Sequence, residues 1–491
     1  MQSRHSIDEP IEPKDWETIR QLGHQMVDDM LDLLEHIRNE PVWRELPEAE
    51  KDYFNTPVPQ LGKGAEAAYS DFKTHVLPYR MGNIHPRFWG WVMGSGTPLA
   101  MLADMLASGM NSNLGGGDHS AVYVEYQVIN WMKELFGYPS EASGLLTSGG
   151  SMANLIGLTV ARNRRAGFDV RLEGLAAAPA PLVCYASTQV HSSVHKAVEL
   201  LGLGRQALRE IPVDDQFSLR VDLLEQAIQA DRAAGLQPLC VVGNAGTTNT
   251  GAFDNLEALA DLCERENLWF HVDGAFGAWV AIVPELQPRV RGMERADSLA
   301  FDLHKWGYMP FEVGCTLVRS PEDHRRAFSL TPDYLSHTSR GPAAGETWLS
   351  DYGVQLTRGF RALKVWLSMK AHGSAAFGEL IARNVQQAHE LQAIVDQQPK
   401  LELLAPVTLN IVCFRYLPTG LSGEALNAFN QELLLRLQES GVALPSYTTL
   451  DGRYALRVNI TNHRTESADL QVLIDKVLAL GQELDAERAA A

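Results

Sequence analysis

Cysteine is scarce in this chain: five among 491 residues, odd in number and scattered as Cys184, Cys240, Cys263, Cys315 and Cys413. That usage excludes a disulfide frame or a cysteine-built zinc site, so no metal is expected. Thiols set inside apolar runs suit a reducing compartment. Positive charge is short as well, with 42 Lys and Arg against 60 Asp and Glu and a formal net charge of −18. Nucleic acid and anionic membrane both demand a basic face, so neither is expected as a partner. No apolar run is long enough to cross a bilayer, and the opening "MQSRHSIDEPIEPKDW" carries no apolar leader. A soluble, cytoplasmic protein is expected.

What is present is a globular composition, 45% hydrophobic, in a chain too long for one ordinary core. Residues 15–39 place Trp16, Ile19, Met26, Met30, Leu33 and Ile37 near one helical face, which predicts an amphipathic helix in need of a covering surface. From about residue 144, short apolar runs alternate with helical patterns. The runs are "PLVCYAS", "PLCVVGNAG", "WFHVDGAFGA" and "SLAFDLHKW". Such alternation predicts an α/β fold with a mainly parallel sheet covered on both faces. Near residue 360 the rhythm gives way to a long helix and then to mixed strands and helices. The expected division is a helical segment over 1–85, a large domain over 86–371 and a smaller α+β domain over 372–491.

Ligands of a parallel sheet bind beyond the carboxyl ends of its strands. The polar residues closing the apolar runs are Ser148-Gly149-Gly150-Ser151, His191, Thr247-Thr248, Asp273 and His304-Lys305, all expected at one sheet edge. Each has an ordinary reading when taken alone: a glycine turn with Ser151 as helix cap, a capping histidine, a capping aspartate, a lysine reaching to solvent. Together they are the parts that pyridoxal 5'-phosphate requires. A lysine bonds to its aldehyde, a carboxylate holds the pyridine nitrogen protonated, a ring stacks on its face and a helix start receives its phosphate.

The motifs "QVHSSVHKA", "GTTNTGAFDNLEAL", "HVDGAFGA", "HKW" and "DYLSHTS" carry a resemblance to the group II pyridoxal-phosphate-dependent decarboxylases, nearest the aromatic L-amino acid decarboxylase branch. The likeness runs over most of the chain. It implies fold type I of the pyridoxal-phosphate enzymes, with a seven-stranded sheet, and a homodimer clasped through its N-terminal helices. It implies that Lys305 bonds to the cofactor, that Asp273 pairs with the pyridine nitrogen, and that His191 stacks on the ring and assists proton transfer. Gly150, Ser151 and His304 would contact the phosphate, with Thr248 and Ala275 lining the cofactor. Tyr334 matches the lid tyrosine that protonates the substrate carbon after carbon dioxide leaves, and its ordinary alternative is a surface ring. Arg358 matches a family arginine without a defined role.

Some positions depart from that pattern. Asp302 and Leu303 stand where animal relatives tend to carry Asn-Pro, and a carboxylate is a poor partner for a phosphate dianion. Gly94 falls near a position that often carries a substrate-contacting threonine. Trp89 and Trp91 could line an aromatic pocket or pack against the N-terminal helices. The glycines of "NSNLGGGDHSA" lie where a partner subunit would reach the site, and would widen the pocket there. The reading is decarboxylation of an aromatic L-amino acid. Its rivals are an acidic substrate (glutamate, aspartate or cysteine sulfinate), an aldehyde-forming oxidative relative, and an inactive scaffold of the same fold.

Overall fold

The computed structural model describes residues 11–330, 340–345 and 348–490. Twelve strands are named here in chain order: β1 (Phe88–Trp89), β2 (Ser143–Thr147), β3 (Leu182–Ser187), β4 (Leu208–Ile211), β5 (Gln237–Asn244), β6 (Trp269–Asp273), β7 (Ser298–Asp302), β8 (Gly314–Val318), β9 (Leu401–Leu403), β10 (Ile411–Tyr416), β11 (Leu444–Leu450) and β12 (Arg453–Asn459).

Seven of them form one sheet in the order β2-β8-β7-β6-β5-β3-β4. Pairs β3–β4, β3–β5, β5–β6 and β6–β7 are parallel, and β8 runs antiparallel to both of its neighbours, β2 and β7. The expected mainly parallel seven-stranded sheet is therefore present. Its central strands are buried along their whole length, as β3, β6, β7 and β8 show. That burial explains why they read as continuous apolar runs rather than as alternating ones. Helices such as Gly150–Arg165, Ser192–Leu200 and Leu256–Glu266 supply the crossovers. All five cysteines are buried and free.

A five-stranded sheet, β1-β11-β12-β10-β9, carries a second core with the helices Gly423–Glu439 and Ser467–Ala490. The structure places β1 on this sheet, parallel to Leu444 and Pro445, although its residues lie inside the span expected for the large domain. The chain thus visits the small sheet before it builds the large one. Residues 362–396 form one long helix broken at Gly373, whose φ of 73° is a left-handed value that glycine accepts without strain. The break lies next to the expected boundary at 371/372.

The N-terminal helix spans Trp16–His36 and is capped by Asp15, whose side chain accepts from the Glu17 amide. Leu22 is buried within it and Ile37 just beyond it, while Trp16, Ile19 and Met26 of the expected face remain exposed on the single chain.

Arg358 has a role that its sequence context does not reveal. Its guanidinium is fully buried. It pairs with the equally buried Glu125 and donates to the carbonyls of Leu114 (2.9 Å) and Leu146 (2.7 Å). Glu125 in turn accepts from the Leu146 amide at 3.1 Å. One ion pair therefore pins the start of the glycine loop 114–117 and the end of β2. The loop glycines serve that packing rather than a wider pocket. A side chain at Gly115 would meet the Leu356 carbonyl at 2.0 Å, and one at Gly116 would meet the Trp348 ring at 2.1 Å. Removing one member of a buried pair strands the other charge. Arg358→Met is expected to lower unfolding free energy by about 3–5 kcal/mol, and Arg358→Met with Glu125→Leu to recover part of that loss, measured by urea denaturation.

Candidate active site

The carboxyl ends of β2, β3, β6 and β7 open on one cleft of about 510 Å³. Its lining includes Gly149, Gly150 and Ser151 after β2, His191 after β3, Asp273 and Ala275 at the end of β6, and Asp302, His304 and Lys305 at and beyond the end of β7. The strand-end residues singled out in separate runs of the sequence are brought together here, Thr247 and Thr248 excepted. Thr248 is half-buried and outside this lining, and its carbonyl accepts from Arg457. Thr247 is consumed in its own turn, accepting from the Ala252 amide at 3.1 Å.

Lys305 lies three residues beyond β7, in a turn held from both sides. Trp306 is buried and its indole N–H donates to Asn384 at 3.1 Å, as does the Tyr308 hydroxyl at 2.9 Å. The Lys305 amine sits 2.9 Å from Asp302 Oδ2. Asp302 is buried, and its second oxygen has no partner among the described residues. The departure from Asn-Pro thus has a local reason: this carboxylate is the counterion of the lysine. His304 accepts from the Val313 amide at Nδ1 (3.1 Å), and burial holds its imidazole below the ordinary histidine value. Its Nε2 is 3.8 Å from Asp302.

The helix Gly150–Arg165 begins at the cleft. Gly149, not Ser151, is its cap residue, and Ser151 lies exposed in the first turn. First-turn N–H groups have no partner within a helix and attract anions. Added side chains would cover them: one at Gly150 would meet Asp302 Oδ2 at 2.9 Å, and one at Gly149 the His304 ring at 3.1 Å. Asp273 is buried at the opposite wall. Its Oδ1 accepts from the Ala275 amide (3.1 Å) and its Oδ2 from Asn154 Nδ2 (2.9 Å). His191 is exposed to the cleft and caps the helix Ser192–Leu200 by accepting from the Ser193 amide. The walls around it lower its pKa by desolvation.

An amine, a braced carboxylate, an open ring and a bare helix start fit a phosphorylated pyridine aldehyde. The comparisons with known proteins agree. Residues 47–417 match the family model described as the pyridoxal-dependent decarboxylase conserved domain. The chain belongs to that family. This decarboxylase is 35% identical over 474 residues to an aromatic-L-amino-acid decarboxylase of Bacillus atrophaeus, covering 95% of this chain and 96% of the relative. It is 29% identical to phenylacetaldehyde synthase of Arabidopsis thaliana, covering 93% and 94%. Among solved structures, Oryza sativa TDC with PLP and tryptamine superposes with a TM-score of 0.89 at 27% identity, covering 97% of this chain and all of that one. The decarboxylase is a pyridoxal-phosphate-dependent enzyme acting on an amino acid.

Several sequence expectations are adjusted by this geometry. Trp89 is fully buried in the small-domain core and donates to Thr465 Oγ1 at 3.3 Å, and Trp91 is half exposed outside the cleft, so neither forms a pocket wall. A side chain at Gly94 would meet the His304 carbonyl at 2.1 Å, so close backbone packing, not a substrate contact, accounts for that glycine. Tyr334 lies outside the described residues. Asn154 and Ser193 were missed. The one available signal was a polar residue inside the apolar helical stretch "ANLIGLTV".

Asp302 Oδ2 stands beside Gly150 at the bare helix start, where a carboxylate would oppose an arriving phosphate. Asp302→Asn is therefore expected to bind pyridoxal phosphate about tenfold more tightly, the worth of one 1.4 kcal/mol charge contact. Fluorescence titration of the cofactor-free protein measures this, and weaker binding would show that Asp302 attracts the cofactor.

Proposed function

We propose that this enzyme decarboxylates an aromatic L-amino acid, releasing the amine and carbon dioxide. One observation carries the choice of substrate class. Among the described lining residues Lys305 is the only lysine or arginine, and it is already engaged, whereas Val92, Met93 and Phe311 supply apolar wall. A distal carboxylate would meet Asp273, Asp302 and Glu312 with no cation to spare. An aromatic side chain needs only apolar surface.

The proposed roles follow from position. Lys305 attaches the cofactor, with Asp302 as its counterion. Gly150, Ser151 and His304 hold the phosphate, while Ala275 borders the cofactor. Asp273, braced by Asn154 and Ala275, keeps a proton on the pyridine nitrogen, and His191 covers one ring face. Bound pyridoxal phosphate supplies an electron sink for the pair released when the bond from Cα to the carboxylate breaks. The pocket walls orient that bond and exclude water from it. The role of Tyr334, delivery of a proton from its hydroxyl to Cα, rests on the family resemblance alone.

Two copies assembling through their N-terminal helices would cover Trp16, Ile19 and Met26, which supports a homodimer. Five free, buried thiols support a cytoplasmic setting.

Purified enzyme offered a panel of L-amino acids should release carbon dioxide and amine from tryptophan, tyrosine or phenylalanine, without peroxide. A higher kcat/KM on glutamate, aspartate or cysteine sulfinate would reverse the choice of substrate. The phenylacetaldehyde synthase likeness makes the oxidative outcome the second reading. Tyr334→Phe is expected to keep the cofactor yet divert product toward aldehyde and ammonia, with oxygen consumed. An unchanged amine yield would remove Tyr334 from the reaction.

A further inference from the structure

Behind the cleft runs a buried chain of hydrogen bonds in which every proton can be placed. Trp269 Nε1 lies 2.8 Å from Ser298 Oγ, which lies 2.7 Å from His271 Nδ1. His271 Nε2 is 2.9 Å from Asn154 Oδ1. Asn154 Nδ2 reaches Asp273 Oδ2 at 2.9 Å and Ser193 Oγ at 3.0 Å, and Ser193 Oγ is 2.8 Å from His191 Nδ1. Trp269, Ser298, His271, Asn154 and Ser193 are all buried.

Three fixed points set the direction. An indole N–H can only donate, so Ser298 accepts from Trp269. Asp273 Oδ2 accepts, so the amide of Asn154 must face it with Nδ2, since the flipped amide would set oxygen against oxygen. Asn154 Oδ1 then accepts, which puts the proton of His271 on Nε2. The Nδ1 of His271 is left as the acceptor of the Ser298 hydroxyl, consistent with a ring kept neutral by burial, its pKa brought down to about 4. The third fixed point is the Ser193 amide, which can only donate and lies 3.2 Å from His191 Nδ1. That nitrogen therefore carries a lone pair, and the Ser193 hydroxyl, accepting from Asn154, turns its own proton onto it.

We propose that Asn154 is a positioning residue that sets Asp273 and the tautomer of His191 together, so that His191 stands over the site as a neutral ring with its proton on Nε2. His191 is then a hydrogen-bond donor at Nε2 toward the anionic group of the substrate and cannot serve there as a base. The chain Trp269–Ser298–His271 fixes Asn154 from behind, and Ser193 passes its orientation forward. The inference rests on the decarboxylase reading of the site for its purpose, but not for its test.

The test is nitrogen NMR of the cofactor-loaded protein labelled with ¹⁵N-histidine, with His191→Gln and His271→Gln to assign the two rings. Both are expected to show a protonated Nε2 and an unprotonated Nδ1 at pH 7.5 or so, well above the depressed histidine range. Ser193→Ala removes the hydroxyl donor while leaving the backbone cap. With only the longer 3.2 Å amide contact left to oppose a proton on Nδ1, His191 should then show a mixture of tautomers, and kcat should fall about tenfold, the worth of one hydrogen bond. Ser193→Thr retains the donor and should restore the single tautomer. Asn154→Leu should release both rings at once, and Ser193→Ala serves alone where the leucine variant does not fold. A proton on His191 Nδ1 in the unmodified protein, or a His191 spectrum unmoved by Ser193→Ala, overturns the inference. Either result would leave the panel of amino acid products, and with it the decarboxylase reading, untouched.

Discussion

The 2.9 Å contact between Asp302 and Lys305 places opposite charges at the carboxyl edge of a parallel sheet, where apolar strands run out. Neither group is tolerable there alone: a buried lone carboxylate or ammonium meets a desolvation cost of several kcal/mol. The pair makes the edge habitable and leaves the amine aimed into the cleft rather than out to solvent. The surrounding devices keep that geometry. Trp306 and Tyr308 anchor the lysine turn on Asn384 of the long helix, and the Val313 amide holds His304 at its side.

Much of this edge was legible because it obeys local rules. Strands buried on both faces read as unbroken apolar runs, and the residues that interrupt them are polar for a reason. Ser148 to Ser151, His191, Asp273 and Lys305 each end such a run, so their convergence follows from the alternation of strand and helix. The second layer was not legible. Asn154 meets partners 39 and 119 residues away, and Arg358 meets one 233 residues away. No short-range pattern encodes such pairings. The glycines misled in one direction: at 94, 115 and 116 they mark backbone or ring approaching closely, where sequence alone suggested room for a substrate or a partner. Trp89 belongs to neither of its expected settings, pocket wall or N-terminal helices, because the two-residue β1 carries it into the core of the five-stranded sheet.

The two carboxylates of the cleft are handled by opposite means. Asp302 is paired with the Lys305 amine. Asp273 faces no cation in its hydrogen-bond set and is held by two N–H donors, one from the backbone and one from Asn154. Those two donors brace the carboxylate without filling the position opposite it. That space is what a protonated pyridine nitrogen would require.

Arg457 of β12 is buried with no carboxylate paired to it among the described residues, and burial brings its pKa down to about 10. It spends its donors on the carbonyls of Trp91, Thr248 and Asn249, and on the Ser446 hydroxyl. Those carbonyls belong to the segment leading into the large domain and to the turn following β5. A single guanidinium thus rivets the C-terminal sheet to the loops flanking the cofactor cleft. The two domains share one floor, and harm done far along the chain, in β12, would surface as a loosened grip on the vitamin.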